Sequence, residues 1–222
     1  MLIEREQGSR YAALSLNVRN RDIDGFVREV QQILGERLVL PPGYTLGFGG
    51  EFENQQRAMA RLALLIPFTL LLIVLILFAT FRSLALAGII LANVPFALMG
   101  GVIALFISGE YLSVPASIGL IALLGVAVLN GVVMVSYFEQ QRAQVLDLAE
   151  RIIGGAGQRL RPILMTASTA LFGLLPLVFA TGPGAELQRP LAIVVIGGLL
   201  TSTLTTLYLL PIAYQQLERR RR

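Results

Sequence analysis

The sequence predicts a mainly α-helical membrane protein: a five-helix transmembrane bundle preceded by a small α+β piece. Three observations support this. The chain is 55% hydrophobic and 14% charged, which favours lipid as the solvent for most of it. Five uncharged stretches are each about twenty residues or longer, enough to cross a bilayer. Residues 1–60 instead carry short, mixed patterns. We therefore divide the chain into 1–60, a transmembrane domain over 61–217 and a basic tail over 218–222.

The N-terminal segment is predicted to be strand, helix, strand over residues 11–48. Apolar and polar residues alternate over 12–18 and again over 44–48, which is typical of half-buried strands. Between them, apolar residues recur at helical spacing from Ile23 to Leu34, with Asp22 as a candidate cap. The segment is too short to bury much surface alone, so we expect it to be part of a larger domain.

The five predicted spans follow one another closely. A polar stretch separates the third from the fourth, and its apolar residues share one helical face over about 140–158. This amphipathic pattern predicts a helix on the membrane surface. The spans are expected at about 62–81, 84–109, 111–138, 162–185 and 190–217.

The basic residues predict the orientation. All eighteen are arginines, and they collect at Arg82, in the 139–161 stretch and in the 219–222 tail, which five spans place on one side. Since basic residues near span ends favour the cytoplasm, that side is predicted to be cytoplasmic and residues 1–60 to lie on the opposite, outer side. The first residues lack the apolar core of a signal peptide. We therefore expect a missing N-terminal part upstream.

Composition excludes several classes of function. The chain has no cysteine or histidine, so no disulfide and no thiolate or imidazole metal site is predicted. It has no lysine, so a phosphate-binding GxxxxGK[ST] loop is impossible. The arginines lie at span ends and not in a patch with exposed aromatics, which argues against nucleic acid. No ionisable residue lies inside the predicted spans, so the chain has no proton relay of its own. We predict no enzyme, cofactor or metal site.

Small residues and two polar ones are the candidate site residues. Small residues four apart let helices approach closely, whether for static packing or for sliding during transport. Asn130 and Thr166 either join helices by hydrogen bonds or take part in function, and Thr166 has the further option of bonding its own helix four residues back. Asn93 is a weaker candidate, because Pro95 frees a backbone carbonyl nearby and the Asn93 amide could simply bond to it. The glycines assigned to helix packing are Gly100, Gly101, Gly125, Gly131, Gly173, Gly197 and Gly198.

Several motifs in order resemble the resistance-nodulation-division (RND) efflux pumps, over essentially the whole chain. The motifs are Gly49-Gly-Glu-Phe-Glu-Asn54, Val94-Pro-Phe-Ala-Leu98, Gly125-Val-Ala-Val-Leu-Asn-Gly131, Arg159-Leu-Arg-Pro-Ile-Leu-Met-Thr166, Leu174-Leu-Pro176, Thr181-Gly-Pro-Gly-Ala-Glu186 and Arg189-Pro190.

The resemblance implies a fold and partners. Such pumps have twelve spans in two similar halves, and this chain looks like the end of the second half: part of a periplasmic pore subdomain and spans eight to twelve. Asn130 and Thr166 match positions of the family's proton-relay region. The resemblance also implies the bacterial inner membrane, a homotrimer when complete, and a periplasmic adaptor with an outer-membrane channel as partners.

The same resemblance bears on substrate. Multidrug members carry lysine where this chain has Leu129, and the 49–54 and 185–190 motifs look like the heavy-metal branch. Copper and silver members carry charged residues near the tenth and eleventh spans and a methionine in the last one, where Leu129, Ile163 and Leu199 stand here. A cobalt, zinc, cadmium or nickel type exporter is therefore expected, with the metal-binding and proton-carrying acidic residues in the absent part. The alternatives are a multidrug or protein-export member, and a non-transporting remnant or scaffold.

Overall fold

The computed structural model describes all residues except 1–4, 7–8, 11, 15, 17, 19–22, 39, 143–146, 183 and 222. The chain divides into two compact units, Met1–Arg57 and Ala58–Arg222. Within the described residues there are two very short strands and six helices. They are β1 (Arg5–Glu6), β2 (Ser9–Arg10), α1 (Ile23–Arg37), α2 (Glu51–Phe81), α3 (Leu84–Ser108), α4 (Val114–Gln141), α5 (Leu148–Val178) and α6 (Ala185–Arg221).

The first unit contains the predicted helix but not the predicted strands. α1 covers the 23–34 pattern, while its candidate cap, Asp22, lies outside the described residues. The described positions of 12–18, and all of 44–48, have no regular structure. Leu14 is 85% exposed and Tyr44 71% exposed. The strand-helix-strand prediction is therefore wrong for the described residues, because an alternating pattern makes a strand only where a neighbouring strand pairs with it.

The structure's strands lie elsewhere. β1 and β2 pair antiparallel, with Arg5 opposite Arg10 and Glu6 opposite Ser9. Each strand is only two residues long, and an isolated two-stranded hairpin is marginally stable at best. The described part of the chain is thus mainly α-helical.

Five of the described helices, α2 to α6, are long and apolar enough to cross a membrane. α3 and α4 begin at serine caps: the hydroxyls of Ser83 and Ser113 accept hydrogen bonds from the backbone N–H groups of Leu86 and Ala116. α3 ends at Gly109, whose φ of 71° suits glycine. α2 begins at Glu51, well before the predicted start near residue 62.

α5 differs most from the predicted boundaries. Residues 148–158 of the predicted surface helix and the span predicted from Pro162 form one continuous helix, capped by Asp147, while residues 140 and 141 belong to the end of α4. Pro162 lies inside α5. A proline removes one helical hydrogen bond, but membrane helices tolerate this when neighbouring groups satisfy the freed carbonyl. The sequence placed the start of the span at Pro162 because the uncharged run begins directly after Arg161.

α6 is the centre of the second unit and packs against α3, α4 and α5, while α4 also packs against α3 and α5. The fully buried core includes Ile90 of α3, Met134 and Phe138 of α4, and Leu210 and Tyr214 of α6. α2 is mostly exposed, although Leu77 near its end joins the same core.

Candidate functional site

Asn130 lies on α4 at the edge of its buried face. Gly131, next to it, is buried: a Cβ there would stand 2.9 Å from Ile90 of α3. Leu129, on its other side, is 60% exposed, and Asn130 itself is half-buried. The amide therefore lies beside a helix face that this chain leaves uncovered.

Thr166 lies on an exposed face of α5. Its hydroxyl donates to the Ile163 carbonyl at 3.0 Å, three residues back in its own helix. That bond uses the single proton of the hydroxyl and leaves its acceptor lone pairs open. Within the described part of the chain, no hydrogen bond joins Thr166 to Asn130. The two residues remain candidates on exposed or half-buried faces of neighbouring helices.

The polar group at the centre of the bundle is Asn93, which sequence reasoning ranked below the other two. It is 1% exposed. Its side-chain N–H₂ group donates to Thr206 Oγ1 of α6 at 2.7 Å and to the Ala127 carbonyl of α4 at 3.3 Å. Asn93 thus joins three helices. The sequence had suggested a different partner, the backbone carbonyl freed by Pro95. The sequence signal that could have pointed to Thr206 is the run of threonine and serine residues over 201–206 in the fifth predicted span.

Close helix contacts surround this centre. A Cβ at Gly198 would stand 2.8 Å from the Ala97 carbonyl oxygen, and one at Gly197 would stand 2.8 Å from the Gly100 carbonyl oxygen. One at Gly100 would overlap the Thr201 side chain. Glycine is therefore required for α3 and α6 to lie this close.

The other candidate glycines divide into two groups. A Cβ at Gly101 would stand 3.1 Å from Val194 of α6, which is tight contact. Among the described residues, nothing lies within 4 Å of a Cβ at Gly125 or Gly173. The packing role predicted for these two therefore has no partner within the described part of the chain, where both are exposed.

A group of charged and polar side chains, missed by sequence reasoning, joins the ends of α4, α5 and α6. Glu218 Oε1 lies 3.0 Å from Arg142 Nη2 and 3.9 Å from Arg151 Nη2. The Tyr214 hydroxyl donates to Glu139 Oε1 at 2.8 Å, and Glu139 also lies 3.6 Å from Arg142. We call these five residues the charged cluster. The sequence had assigned its arginines to membrane topology alone.

Beside the charged cluster, Tyr137 of α4 holds a second set of contacts to α5. The guanidinium of Arg159 lies over its ring, 4.6 Å from the centroid. The Tyr137 hydroxyl donates to Gln158 and accepts from Gln141 Nε2 at 2.8 Å. Cation–π contacts of this kind stabilise by about 0.5–1 kcal/mol at exposed sites. They reinforce the attachment of α5 to α4 at this end.

The described residues contain no group of three or more acidic, cysteine or histidine side chains that would hold a metal ion. On the opposite side of the bundle, Arg189 Nε lies 3.3 Å from Glu110 Oε1 and ties the start of α6 to the α3–α4 loop. The candidate site residues Asn93, Asn130 and Thr166 are thus uncharged, whereas the charged cluster lies at helix ends.

Comparison with known proteins identifies the family. The AcrB/AcrD/AcrF family profile matches residues 1–218. The cobalt-zinc-cadmium resistance protein CzcA of Cupriavidus metallidurans is 46% identical over 98% of this chain and 20% of its own length. The nickel and cobalt resistance protein CnrA of the same organism is 43% identical over 94% of this chain and 19% of its own. The cation efflux protein CusA of Escherichia coli is 35% identical over 96% and 22%.

A solved structure agrees with these matches. The crystal structure of a heavy metal efflux pump is 42% identical and superposes with a TM-score of 0.80, over 96% of this chain and 22% of that one. The chain thus spans about a fifth of the length of the relatives it matches. The resemblance predicted from the motifs is confirmed: the chain belongs to the AcrB/AcrD/AcrF family of RND membrane transporters, and not to an enzyme family.

Proposed function

We propose that this chain supplies the last five spans of a proton-driven RND exporter of divalent heavy-metal cations. The observation that carries the proposal is its 46% identity, over nearly its whole length, to a protein named for cobalt, zinc and cadmium resistance. Its nickel and cobalt resistance relative adds support. The proposed substrate class is therefore cobalt, zinc, cadmium or nickel.

The faces that the bundle leaves uncovered support a missing helical partner. α2 is mostly exposed over its apolar length, and the exposed side of α5 carries Met165, Thr166 and Gly173. Small and hydroxyl-bearing residues at such a face permit close contact with another helix. We propose that helices of the pump's N-terminal part cover the face of α5, and lipid the remainder.

Energy coupling requires ionisable groups at membrane depth, because protons must be loaded and released there. The predicted spans of this chain hold none, so the carboxylates of the relay are proposed to come from the N-terminal part. Asn130 and Thr166 then act as hydrogen-bonding neighbours: an amide that donates and accepts, and a hydroxyl with open acceptor positions. They orient the relay groups, while the protons are carried elsewhere.

We further propose that the complete protein lies in the bacterial inner membrane, with residues 1–60 periplasmic and the arginine tail cytoplasmic. The charged cluster and the arginines of the 142–161 stretch would then lie on the cytoplasmic side, in agreement with the positive-inside rule. By family resemblance, the complete pump is proposed to be a homotrimer that works with a periplasmic adaptor and an outer-membrane channel.

A growth test separates these proposals. The chain is expressed in cells sensitive to zinc and cobalt, alone and together with the N-terminal part of a related heavy-metal pump. We expect resistance only from the combination. A combination that assembles and confers resistance to organic drugs, but none to these metals, would contradict the substrate assignment. Resistance from the chain alone would contradict the need for a partner.

A further inference from the structure

Three exposed arginines stand at one end of the second unit. Arg219 and Arg220 lie in the last turn of α6, and Arg82 lies in the short connection between α2 and α3. Phe81 and Leu217, which lie within two residues of these arginines, pack against the same apolar core. The three arginines therefore surround one end of the bundle, and we call them the basic rim.

Neighbouring carboxylates do not neutralise the charge of the basic rim. Among the described residues, no ion pair includes any of the three arginines. Glu218, which precedes the two rim arginines of α6, has a side chain only 6% exposed and faces Arg142 and Arg151 instead. The exposed acidic residues described at this end, Asp147 and Glu150, lie at the start of α5. The rim therefore presents positive charge to its surroundings.

The basic rim lies at the height of lipid headgroups. On the opposite side of the bundle, Arg189 and Glu110 form an ion pair. At ~1.5 Å per helical residue, Arg219 lies about 45 Å from Arg189 along α6, and Arg82 lies about 42 Å from Glu110 along α3 and its flanking residues. A bilayer with its headgroups is ~40–45 Å thick. When the ion pair lies at one membrane surface, the rim therefore lies at the other.

Arg82 also occupies a position that suits glycine better than arginine. Its φ is 48°, in the left-handed region, and its backbone N–H donates to the Phe78 carbonyl at 2.8 Å. Helices commonly end at a residue in this conformation, and that residue is usually glycine because it has no Cβ. The turn between α2 and α3 thus does not explain an arginine here, whereas a role for its exposed side chain does.

We propose that the basic rim binds the phosphate headgroups of anionic phospholipids, of the phosphatidylglycerol kind, in the membrane around the bundle. A guanidinium group donates two parallel hydrogen bonds to a phosphate and stays charged at neutral pH. Each arginine near an anionic membrane surface raises the affinity by about fivefold, and the gains of several arginines multiply. This binding requires only that the bundle crosses the membrane, whichever way it faces, and not a particular transported substrate.

Energy transfer to labelled lipids measures the lipid composition around the rim. The chain has no cysteine, so a single cysteine in place of Gln216, an exposed residue of α6, takes one fluorescent donor. The chain is placed in phosphatidylcholine liposomes with a trace of phosphatidylglycerol or phosphatidylcholine that carries the acceptor on an acyl chain. We expect phosphatidylglycerol to be enriched by about fivefold or more over phosphatidylcholine. A donor at Leu112, which is 55% exposed beside the paired Glu110, should show no such enrichment.

Variants of the basic rim identify the groups responsible. Arg82→Gln with Arg219→Gln and Arg220→Gln should reduce the enrichment near position 216 to that near position 112. The three corresponding lysine replacements should keep most of the enrichment, because the charge remains. Arg37→Gln, at an exposed arginine of the first unit, is the matched charge control and should change nothing.

A salt titration tests the unchanged chain, and decides the question if the glutamine variant does not accumulate. Raising the ionic strength from about 0.1 M to about 1 M shortens the Debye length from ~10 Å to ~3 Å. The enrichment near position 216 should fall accordingly, since the rim arginines are exposed. Inorganic phosphate added at constant ionic strength should leave the labelled lipid in place.

Four outcomes would overturn the proposed lipid site. They are equal enrichment of the two lipids near position 216, an enrichment that the glutamine variant retains, an enrichment that high salt leaves unchanged, and displacement of the lipid by inorganic phosphate. The last result would show that the rim binds free phosphate and not a membrane lipid.

Discussion

Replacing Gly198 by alanine tests the tight α3–α6 contact most sharply. The new Cβ would stand 2.8 Å from the Ala97 carbonyl oxygen and would overlap the Leu123 side chain. A leucine side chain can rotate, but a helix backbone yields only if the helices separate. Overpacking of this kind costs about 1–3 kcal/mol, while alanine in place of helical glycine returns ~0.8–1.0 kcal/mol. We expect a net destabilisation of about 0–2 kcal/mol.

Gly125→Ala is the matched control, because nothing among the described residues lies within 4 Å of its Cβ. It should gain the helix-propensity term of ~0.8–1.0 kcal/mol and no overpacking cost. The difference between the two variants then isolates the contact, at about 1–3 kcal/mol. The assay is the free energy of unfolding in bicelles by steric trapping. Equal stabilities for Gly198→Ala and Gly125→Ala would refute the close approach of α3 and α6.

Four further predictions follow from the same structure. Asn93→Leu should lower the free energy of unfolding by about 1 kcal/mol, because it removes two membrane hydrogen bonds worth ~0.6 kcal/mol each. An unchanged unfolding curve would show that these bonds contribute nothing to stability. In intact cells, an impermeant thiol reagent should label a cysteine that replaces Gly35 but not one that replaces Arg222. The reverse pattern would show that the predicted orientation is wrong. Asn130→Ala and Thr166→Ala should impair transport in the assembled pump more than they lower its folded amount, and a loss proportional to protein level would leave only a structural role. This chain alone in liposomes should show no proton-coupled metal flux.

The number and order of the long helices follow from the sequence, because uncharged runs of this length have few other stable forms in lipid. The boundaries do not follow as well. Proline occurs both at helix starts and inside membrane helices, so the presence of Pro162 alone does not decide whether α5 begins there. The structure shows the second case.

The ranking of the polar residues depended on packing that periodicity does not reveal. Asn93 and Asn130 both lie in spans that are apolar on every side, so neither span has a face that marks the bundle interior. The partner of Asn93 is Thr206, which is 113 residues away. Only the crossing of α3, α4 and α6 brings them together. Sequence reasoning favoured Asn130 because Pro95 offered Asn93 a local carbonyl partner, but the structure places Asn130 half-buried at an edge.

The charged cluster was missed for a related reason. Arg142 and Arg151 lie in the polar stretch between the third and fourth predicted spans, and Glu218 directly follows the fifth; membrane topology already accounts for charge at both places. Nothing in their spacing shows that Arg151 and Glu218 are buried against one another. The prediction of N-terminal strands failed in the opposite way. The alternating pattern was present, but the two described strands of this unit, β1 and β2, pair with each other and not with the predicted segments.

The central claim is that these five spans work only as part of a proton-driven metal exporter. The most direct measurement is zinc or cobalt flux into liposomes under an imposed proton gradient, with this chain purified alone and purified in complex with an N-terminal pump part. We predict gradient-dependent flux from the complex, and none from either part by itself. Flux from this chain alone, or a stable complex that moves no metal, would contradict the account.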